Sequence, residues 1–231
     1  MNLRRLGGLS ALALATAYVV GCALNFTLLD TSSIADGVEK VSFLVDKQML
    51  FHIWIFFIYV LFGVCLVFLA EALDEQLRPA ASAWARPAKA FALIWAGLLI
   101  AAGNVYIAGL NNVAAAFAQN PVQAATAWLA IDTVHQGLSG TAEIPGGLWT
   151  MLVGLAALQA ARFPRAWSYL GIATGIAGLL TAIPVLFIPA VAVYALGHCA
   201  WWIWLAVLLL RKNPLEAAQG QRGLVASPGA Q

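Results

Sequence analysis

The sequence predicts an all-α fold, a polytopic transmembrane bundle of six helices with two short amphipathic helices on the extracytoplasmic face. Three observations predict it. The 231 residues are 62% hydrophobic and 10% charged, whereas soluble proteins average about 45–50% apolar and about 25% charged. Six long apolar runs divide the chain. The segments that join these runs alternate between rich and poor in basic residues, as expected when every second loop faces the cytoplasm.

The apolar runs place the membrane spans in a single domain over residues 1–212. A hydrocarbon core of about 30 Å needs about 20 helical residues, with a range of about 17–25. Breakers such as Arg78-Pro79 and Phe163-Pro164 stand at the borders of the runs. Pro184 and Pro189 predict a tight turn inside the last apolar stretch. The predicted spans cover 6–29, 49–70, 90–110, 145–161, 166–188 and 189–210.

The basic residues predict the orientation. Lys40 and Lys47 are the exceptions to a one-sided distribution, and neighbouring acids balance them. Retention of basic loops in the cytoplasm puts both termini inside, in a bacterial cytoplasmic membrane. Residues 213–231 are rich in Gly, Ala, Pro and Gln, which predicts a disordered cytoplasmic tail. The basic residues of the cytoplasmic side are Arg4, Arg5, Arg78, Arg86, Lys89, Arg162, Arg165, Arg211, Lys212 and Arg222.

Composition also restricts the partners. The net charge is only +2, and the basic residues lie at helix ends rather than in a stripe. This pattern argues against nucleic acid and leaves the lipid bilayer as the expected partner. Cys22, Cys65 and Cys199 lie inside apolar runs without paired spacing, which favours buried small residues over disulfides or a zinc ribbon.

The N-terminal run permits two interpretations. Arg4-Arg5 followed by an apolar stretch resembles a signal sequence, and Val19-Val20-Gly21-Cys22 resembles a lipoprotein processing site. However, the apolar run continues to Leu29 and is long enough to cross a bilayer. We therefore expect a retained first helix, with lipidation of Cys22 as the alternative.

The first outer segment predicts an amphipathic helix. Apolar residues recur there at spacings of three and four, and charged residues occupy the other faces. Ser33-Ile34-Ala35-Asp36 has the form of a capping box just before this stripe. Such a helix is expected to lie on the outer surface and to lead into the second span. The stripe consists of Ile34, Val38, Val41, Val45 and Met49.

The second outer segment, residues 111–147, contains no Lys or Arg. Asn120 suits a helix N-cap, Pro121 suits the first helical position, and Gly137 suits the far end. A short helix Pro121–Gln136 is therefore expected, followed by a glycine-rich stretch that could fold over the bundle. Trp128, Asp132, His135 and Gln136 would share one face of this helix.

The last 90 residues or so carry packing motifs that point to a family. Gly171, Gly175 and Gly178 are small residues at spacings of four and three, which permit close approach of a neighbouring helix. Together with Gly146-Gly147-Leu148-Trp149 and Pro164-Arg165-Ala166-Trp167, they form a pattern that resembles a large family of uncharacterised bacterial multi-pass membrane proteins. The resemblance implies a polytopic membrane fold and no function.

Polar residues within or near the spans predict a cavity. Unsatisfied polar groups in hydrocarbon cost several kcal/mol, so these side chains should point inward and meet near the outer side. Binding or passage of a small molecule through this outward-facing cavity is the favoured function. The candidate ligand-binding residues are Asn25, Asn104, Asn111, Asp132, Glu143 and Tyr194.

An alternative function uses the three histidines. If His52, His135 and His198 converge, with Asp132 or Glu143 beside them, they could hold zinc or copper. Two of them could instead ligate haem in a redox protein. Alternatively, each histidine satisfies an interhelical hydrogen bond, which is the interpretation that their scattered positions favour. Nucleotide-binding and hydrolase motifs are absent from the sequence. The sequence therefore indicates no particular reaction, substrate, cofactor or oligomeric state.

Overall fold

The computed structural model describes residues 2–139 and 143–211, and all regular structure within them is helical. The all-α prediction is confirmed. Four candidate spans are long and apolar enough to cross a membrane, namely Leu3–Asn25, Gln48–Phe117, Pro121–Ala160 and Pro184–Leu210. The third includes residues 140–142, which lie outside the described part of the chain. The elements are α1 Leu3–Asn25, α2 Gly37–Asp46, α3 Gln48–Ile55, a π-helical turn Phe56–Leu61, α4 Phe62–Phe117, α5 Pro121–Ser139, α6 Ile144–Ala160, α7 Arg165–Leu180, a 3₁₀ turn Pro184–Leu186 and α8 Phe187–Leu210.

Helix α4 is a hairpin of two arms, 62–80 and 82–117. The backbone leaves the helical region at Ala81, with φ −141° and ψ 42°. Across the hairpin Lys89 Nζ lies 2.8 Å from a carboxylate oxygen of Glu71, and Gly103 packs against Tyr59. These pairings make the two arms antiparallel. The expected helix border at Arg78-Pro79 is displaced by two residues, because the backbone leaves the helical region at Ala81 and Pro79 remains helical.

The remaining rods of the bundle also pack antiparallel to their neighbours. Gly154 of α6 lies against Ser168 of α7, and Gly178 of α7 lies against Tyr194 of α8. Helix α1 returns to the end of α8, where Arg4 Nη2 donates hydrogen bonds to the carbonyl oxygens of Leu208 at 3.1 Å and Arg211 at 2.9 Å. Six rods result, formed by α1, α3 with the first arm of α4, the second arm of α4, α6, α7 and α8.

The same packing brings the basic segments to one end of the bundle, here called the basic end. The α4 turn and the end of α6 meet there, since Gln159 Nε2 donates to the carbonyl oxygen of Ala80 at 3.2 Å. Arg4 and Arg211 are neighbours at this end as well. Lys47 lies at the other end, where its ammonium donates to the carbonyl oxygen of Leu28. The charge asymmetry of the sequence is therefore a spatial asymmetry of the described residues.

Two apolar clusters form the interior. The larger one joins all six rods and includes the fully buried rings of Trp149, Trp167 and Trp201. The smaller one lies at the opposite end from the basic residues, where α2, α3 and α5 cover the last turns of α4, with Val41 and Trp128 among its members. The second cluster extends the bundle beyond the level at which α1 ends.

Helix α2 begins later than the sequence predicted. Its N-cap is Asp36, whose side chain accepts a hydrogen bond from the backbone N–H of Glu39 at 2.8 Å. The expected capping box at Ser33 is therefore wrong by three residues. The carboxylate of Asp36 satisfies a free N–H of the first turn as well as a serine would.

Helix α5 is capped as predicted, because Asn120 Oδ1 accepts a hydrogen bond from the backbone N–H of Gln123 at 3.1 Å. Its course differs from that of a helix lying flat on a surface. Ile131 packs against Gly109, and His135 Nδ1 lies 3.0 Å from the carbonyl oxygen of Ala102. Helix α5 thus runs antiparallel along the second arm of α4 and descends into the bundle. The predicted tail 213–231 lies outside the described residues.

Candidate functional site

The break between α5 and α6 occurs alongside the middle of the second arm of α4. His135, in the last turns of α5, meets Ala102, whereas Gly146, in the first turn of α6, meets Trp95. The last turns of α5 and the first turn of α6 therefore both lie beside residues 95–102. At 1.5 Å per residue this level is about 9–20 Å beyond Lys89, the innermost basic residue of the α4 hairpin.

A cavity of about 130 Å³ opens at this break. We call it the helix-break cavity. Among its ten described lining residues Glu143 is the one Asp, Glu, Lys, Arg or His, and six of the ten are aromatic. They come from α1, the π-helical turn, both arms of α4, α5, α8 and the start of α6. The lining residues are Tyr18, Ile58, Tyr59, Phe62, Trp95, Leu99, Ser139, Glu143, Tyr194 and Trp202.

The backbone fixes Glu143 at the N-terminus of α6. Its N–H donates to Thr181 Oγ1 of the α7 end at 2.8 Å, and its carbonyl oxygen accepts from the N–H of Gly147 at 2.8 Å. The ion pairs of the described residues join Arg78 and Lys89 to acids near the basic end, and none of them includes Glu143. The cavity therefore contains a carboxylate without a basic partner in the described part of the chain.

Tyr194 faces Glu143 from α8, with its hydroxyl directed at the Glu143 carboxyl group. Only 3% of this residue is exposed, yet its hydroxyl has no hydrogen-bond partner at normal distance among the described residues. Two glycines make room for the side chain. A Cβ atom on Gly146 would collide with the hydroxyl, and one on Gly178 would lie 2.7 Å from the ring. The indole N–H of Trp202 is likewise buried without a partner in these residues.

Tyr59 enters the cavity from the π-helical turn Phe56–Leu61. Single π-helical turns inside α-helices are frequent at functional sites, because the extra residue displaces side chains from the regular helical positions. The ring of Tyr59 packs edge-on against His135 with 4.9 Å between centroids. This contact connects the cavity wall to α5 just before the break.

His198 does not line the cavity but packs against two of the residues that do. Its ring packs against Tyr194 and Trp202, with centroid separations of 4.3 Å and 4.5 Å. Thr150 Oγ1 donates to the carbonyl oxygen of Gly146 at 2.8 Å and lies 2.7 Å from His198 Nε2. Because the hydroxyl has one proton, His198 Nε2 must donate to it. This hydrogen bond joins α8 to α6.

The structure does not bring the three histidines together. His135 bonds to the Ala102 carbonyl between the rings of Tyr59 and Tyr106, and His52 is half-buried on α3. Within residues 2–139 and 143–211, no three His, Cys, Asp or Glu side chains lie close enough to hold a metal ion. His135 and His198 each make an interhelical hydrogen bond, so the metal and haem hypotheses gain no support.

Of the six predicted ligand-binding residues, Glu143 and Tyr194 meet in the cavity. The other four do not line it. Asn111 Oδ1 accepts from Gln48 at 2.9 Å, and Asp132 accepts from Gln136 at 2.7 Å. Asn104 is exposed, and Asn25 is half-buried at the end of α1.

Sequence reasoning missed the aromatic wall of the cavity, namely Tyr18, Tyr59, Phe62, Trp95 and Trp202. Aromatic residues in an apolar run are indistinguishable from packing residues until their partners are known. The signal available was indirect, because buried tyrosines carry a hydroxyl that needs a partner.

A larger apolar groove of about 490 Å³ lies on the outside of the bundle between α1 and the segment formed by α3 and the π-helical turn. Its lining includes Leu9, Val20 and Phe57 and contains no charged side chain. Such a groove suits lipid chains and offers no group for chemistry.

Comparison with known proteins gives one family match. The model of a family described as a domain of unknown function, DUF4386, matches residues 6–212. The chain belongs to the DUF4386 family. This confirms the resemblance to an uncharacterised family that the glycine and tryptophan motifs predicted. No curated protein and no solved structure shows a significant match to the chain. Membership of DUF4386 and the apolar helices are compatible with a membrane protein of unassigned activity.

Proposed function

We propose that the protein is a multi-pass integral membrane protein of the bacterial cytoplasmic membrane that binds or passes a small molecule through the helix-break cavity. In this proposal the six rods are the six spans, the basic end faces the cytoplasm, and the cavity is reached from the outer side.

The bundle exterior supports insertion in lipid. Large apolar side chains are exposed around it, including Ile94 at 51% and Leu196 at 73%, and they lie on rods that also bury apolar faces inward. Soluble monomers rarely expose continuous apolar surface of this kind. A bilayer removes that surface from water.

The basic end supports the orientation. Both chain ends of the described bundle, the α4 turn and the α6–α7 turn lie there, together with Arg4, Arg78, Arg162 and Arg211. Basic loops are retained in the cytoplasm. This orientation leaves α2, α5 and the smaller apolar cluster on the outer side.

The observation that carries the proposed function is the carboxylate of Glu143 at a helix break deep in the bundle. Irregular backbone at membrane depth is tolerated only where it is buried in protein or lines a cavity. Ionisable residues at such depth are costly and mark functional sites by default. Broken helices whose ends meet near the midplane are a common way to build substrate sites in carriers.

Cysteine accessibility tests the outward-facing cavity. Replacing Cys22, Cys65 and Cys199 with alanine gives a background without thiols, into which Ser139→Cys is introduced at the cavity wall. A membrane-impermeant thiol reagent added to intact cells should label this cysteine from the outer side. Ala157→Cys, at a fully buried position of α6 nearer the basic end, should remain unlabelled. Labelling of Ser139→Cys only after the cytoplasmic face is exposed, or no labelling from either face, would contradict the proposal.

A further inference from the structure

The lining of the helix-break cavity selects the chemical class of its ligand. We infer that it binds a small organic ammonium ion, held between the Glu143 carboxylate and the faces of the surrounding aromatic rings. The inference rests on the proposed function and names the ligand class for the same cavity.

The sign of the charge comes from Glu143. No described Lys, Arg or His side chain lines the cavity, and the ion pairs of residues 2–139 and 143–211 lie near the basic end. A carboxylate placed in an apolar region is costly unless it takes up a proton or a cation neutralises it. A bound cation supplies that partner, whereas an anionic ligand would add a second negative charge.

The aromatic rings favour an organic cation. Phe62 packs edge-on against both Trp95 and Trp202, with centroid separations of 5.8 Å and 5.4 Å. Tyr18 packs edge-on against Trp202 at 5.7 Å. All four of these rings line the cavity. Cations within about 6 Å of a ring centroid are attracted to its negative face, and quaternary ammonium groups are recognised in this way.

The free polar groups of the wall complete the site. The Tyr194 hydroxyl is buried and lacks a partner among the described residues. Its lone pairs can accept from an ammonium N–H, and its proton can be donated to the Glu143 carboxylate. An ammonium ion that carries an N–H can therefore bond to the Tyr194 oxygen, whereas tetramethylammonium probes only the charge and the aromatic faces.

The volume sets the size of the ligand. A cavity of about 130 Å³ is slightly smaller than the 150 Å³ engineered cavity that binds benzene. It therefore accepts a compact group of about five or six non-hydrogen atoms. Tetramethylammonium has this size and carries the charge at its centre, which makes it a suitable probe.

Binding to the purified full-length protein in lipid nanodiscs tests the inference. Tetramethylammonium chloride is titrated while tryptophan fluorescence is recorded, because Trp95 and Trp202 line the cavity. Sodium chloride at equal concentration and tert-butanol, a neutral molecule of similar size, are titrated in parallel. We expect a saturable change with tetramethylammonium, a weaker one with tert-butanol and none with sodium chloride.

The variants assign the response to the cavity. Glu143→Gln should weaken tetramethylammonium binding about tenfold to hundredfold, because it removes the charge that attracts the cation. Tyr18→Leu should weaken it about twofold to thirtyfold through the loss of one ring. Asp132→Asn removes an acid that lies outside the cavity and should leave binding unchanged. If Glu143→Gln fails to fold, Tyr18→Leu with Asp132→Asn still decides the outcome.

The possible failures are distinguishable. Binding of tert-butanol as tight as that of tetramethylammonium and insensitive to Glu143→Gln would overturn the inference of a cation and leave the small-molecule site standing. A response to sodium chloride equal to that of tetramethylammonium would likewise overturn the organic ligand class. If no probe gives a saturable change, the inference of a cation ligand is overturned. If Ser139→Cys also stays unlabelled in the accessibility experiment, the proposed function is overturned too.

Discussion

A single added methyl group should separate α6 from α7. At Gly175 a Cβ atom would lie 2.5 Å from the carbonyl oxygen of Gly147 and 2.6 Å from the backbone nitrogen of Met151. Ordinary van der Waals contact begins at 3.4 Å, so Gly175→Ala requires the helices to move apart by about 0.9 Å. The obstructing atoms belong to the backbone and cannot rotate away. Overpacking of this kind costs about 1–3 kcal/mol.

The net effect is smaller than the steric cost, because alanine favours the helical state over glycine by about 1 kcal/mol. We expect Gly175→Ala to lower the free energy of unfolding by about 2 kcal/mol, taking the upper part of the overpacking range. Reversible unfolding in mixed micelles, followed by far-UV circular dichroism, measures it.

Gly97→Ala is the matched control for this change. Gly97 lies on the exposed face of α4, and a Cβ atom there meets nothing within 4 Å. The same substitution should therefore be neutral or stabilise the protein by up to about 1 kcal/mol. If Gly175→Ala is as stable as Gly97→Ala, the close approach of α6 and α7 described here is wrong.

Three further substitutions test contacts that hold the bundle together. Lys89→Met should destabilise the α4 hairpin by about 1–3 kcal/mol, because it leaves the carboxylate of Asp74, whose side chain is only 5% exposed, without this partner. Breaking a fully buried ion pair costs about 3–5 kcal/mol, and the loss here is smaller because the Lys89 side chain is 29% exposed. Thr150→Val should cost about 1–3 kcal/mol in the same unfolding assay, since it leaves His198 Nε2 without its acceptor. Asp36→Ala should weaken the start of α2 by about 1 kcal/mol, measured as faster hydrogen exchange of its first amides.

Each of these changes has a control of similar chemistry. Arg78→Met removes the other basic partner of Asp74, but 55% of the Arg78 side chain is exposed, so the loss should stay below about 1 kcal/mol. Thr126→Val removes a hydroxyl that bonds only within its own exposed helix turn and should have little effect. Ser33→Ala should leave the exchange of α2 unchanged. Equal effects of a variant and its control would contradict the contact assigned to it.

The sequence predicts the helical class because lipid imposes one requirement on every span, a continuous apolar helix. It also predicts that a neighbouring helix approaches α7 closely at Gly171, Gly175 and Gly178, because small residues at these spacings commonly let two helix backbones pack together. The basic end can likewise be inferred from the sequence, because its basic residues lie in the segments that join successive apolar runs. Each of these features can be inferred from residues that are neighbours along the chain.

Other features depend on partners that are distant along the chain. The turn at Ala81 lies between two prolines, and their presence predicts a break without saying which residue makes it. The spacing of Trp128 and His135 predicts that they share one face of α5, but not that α4 covers this face. Glu143 and Tyr194 are separated by 51 positions, so only the packing of α6, α7 and α8 reveals that they face one cavity.

The position of a bound cation shows directly whether Glu143 and the aromatic rings of the helix-break cavity form the ligand site. Crystals of the full-length protein can be soaked with tetramethylarsonium, a heavier analogue of tetramethylammonium whose arsenic atom scatters anomalously. We predict one anomalous peak inside the helix-break cavity, within about 6 Å of the Trp202 ring and beside the Glu143 carboxylate, and its disappearance in Glu143→Gln. A peak only at other sites, or an unchanged peak in the variant, would contradict the account.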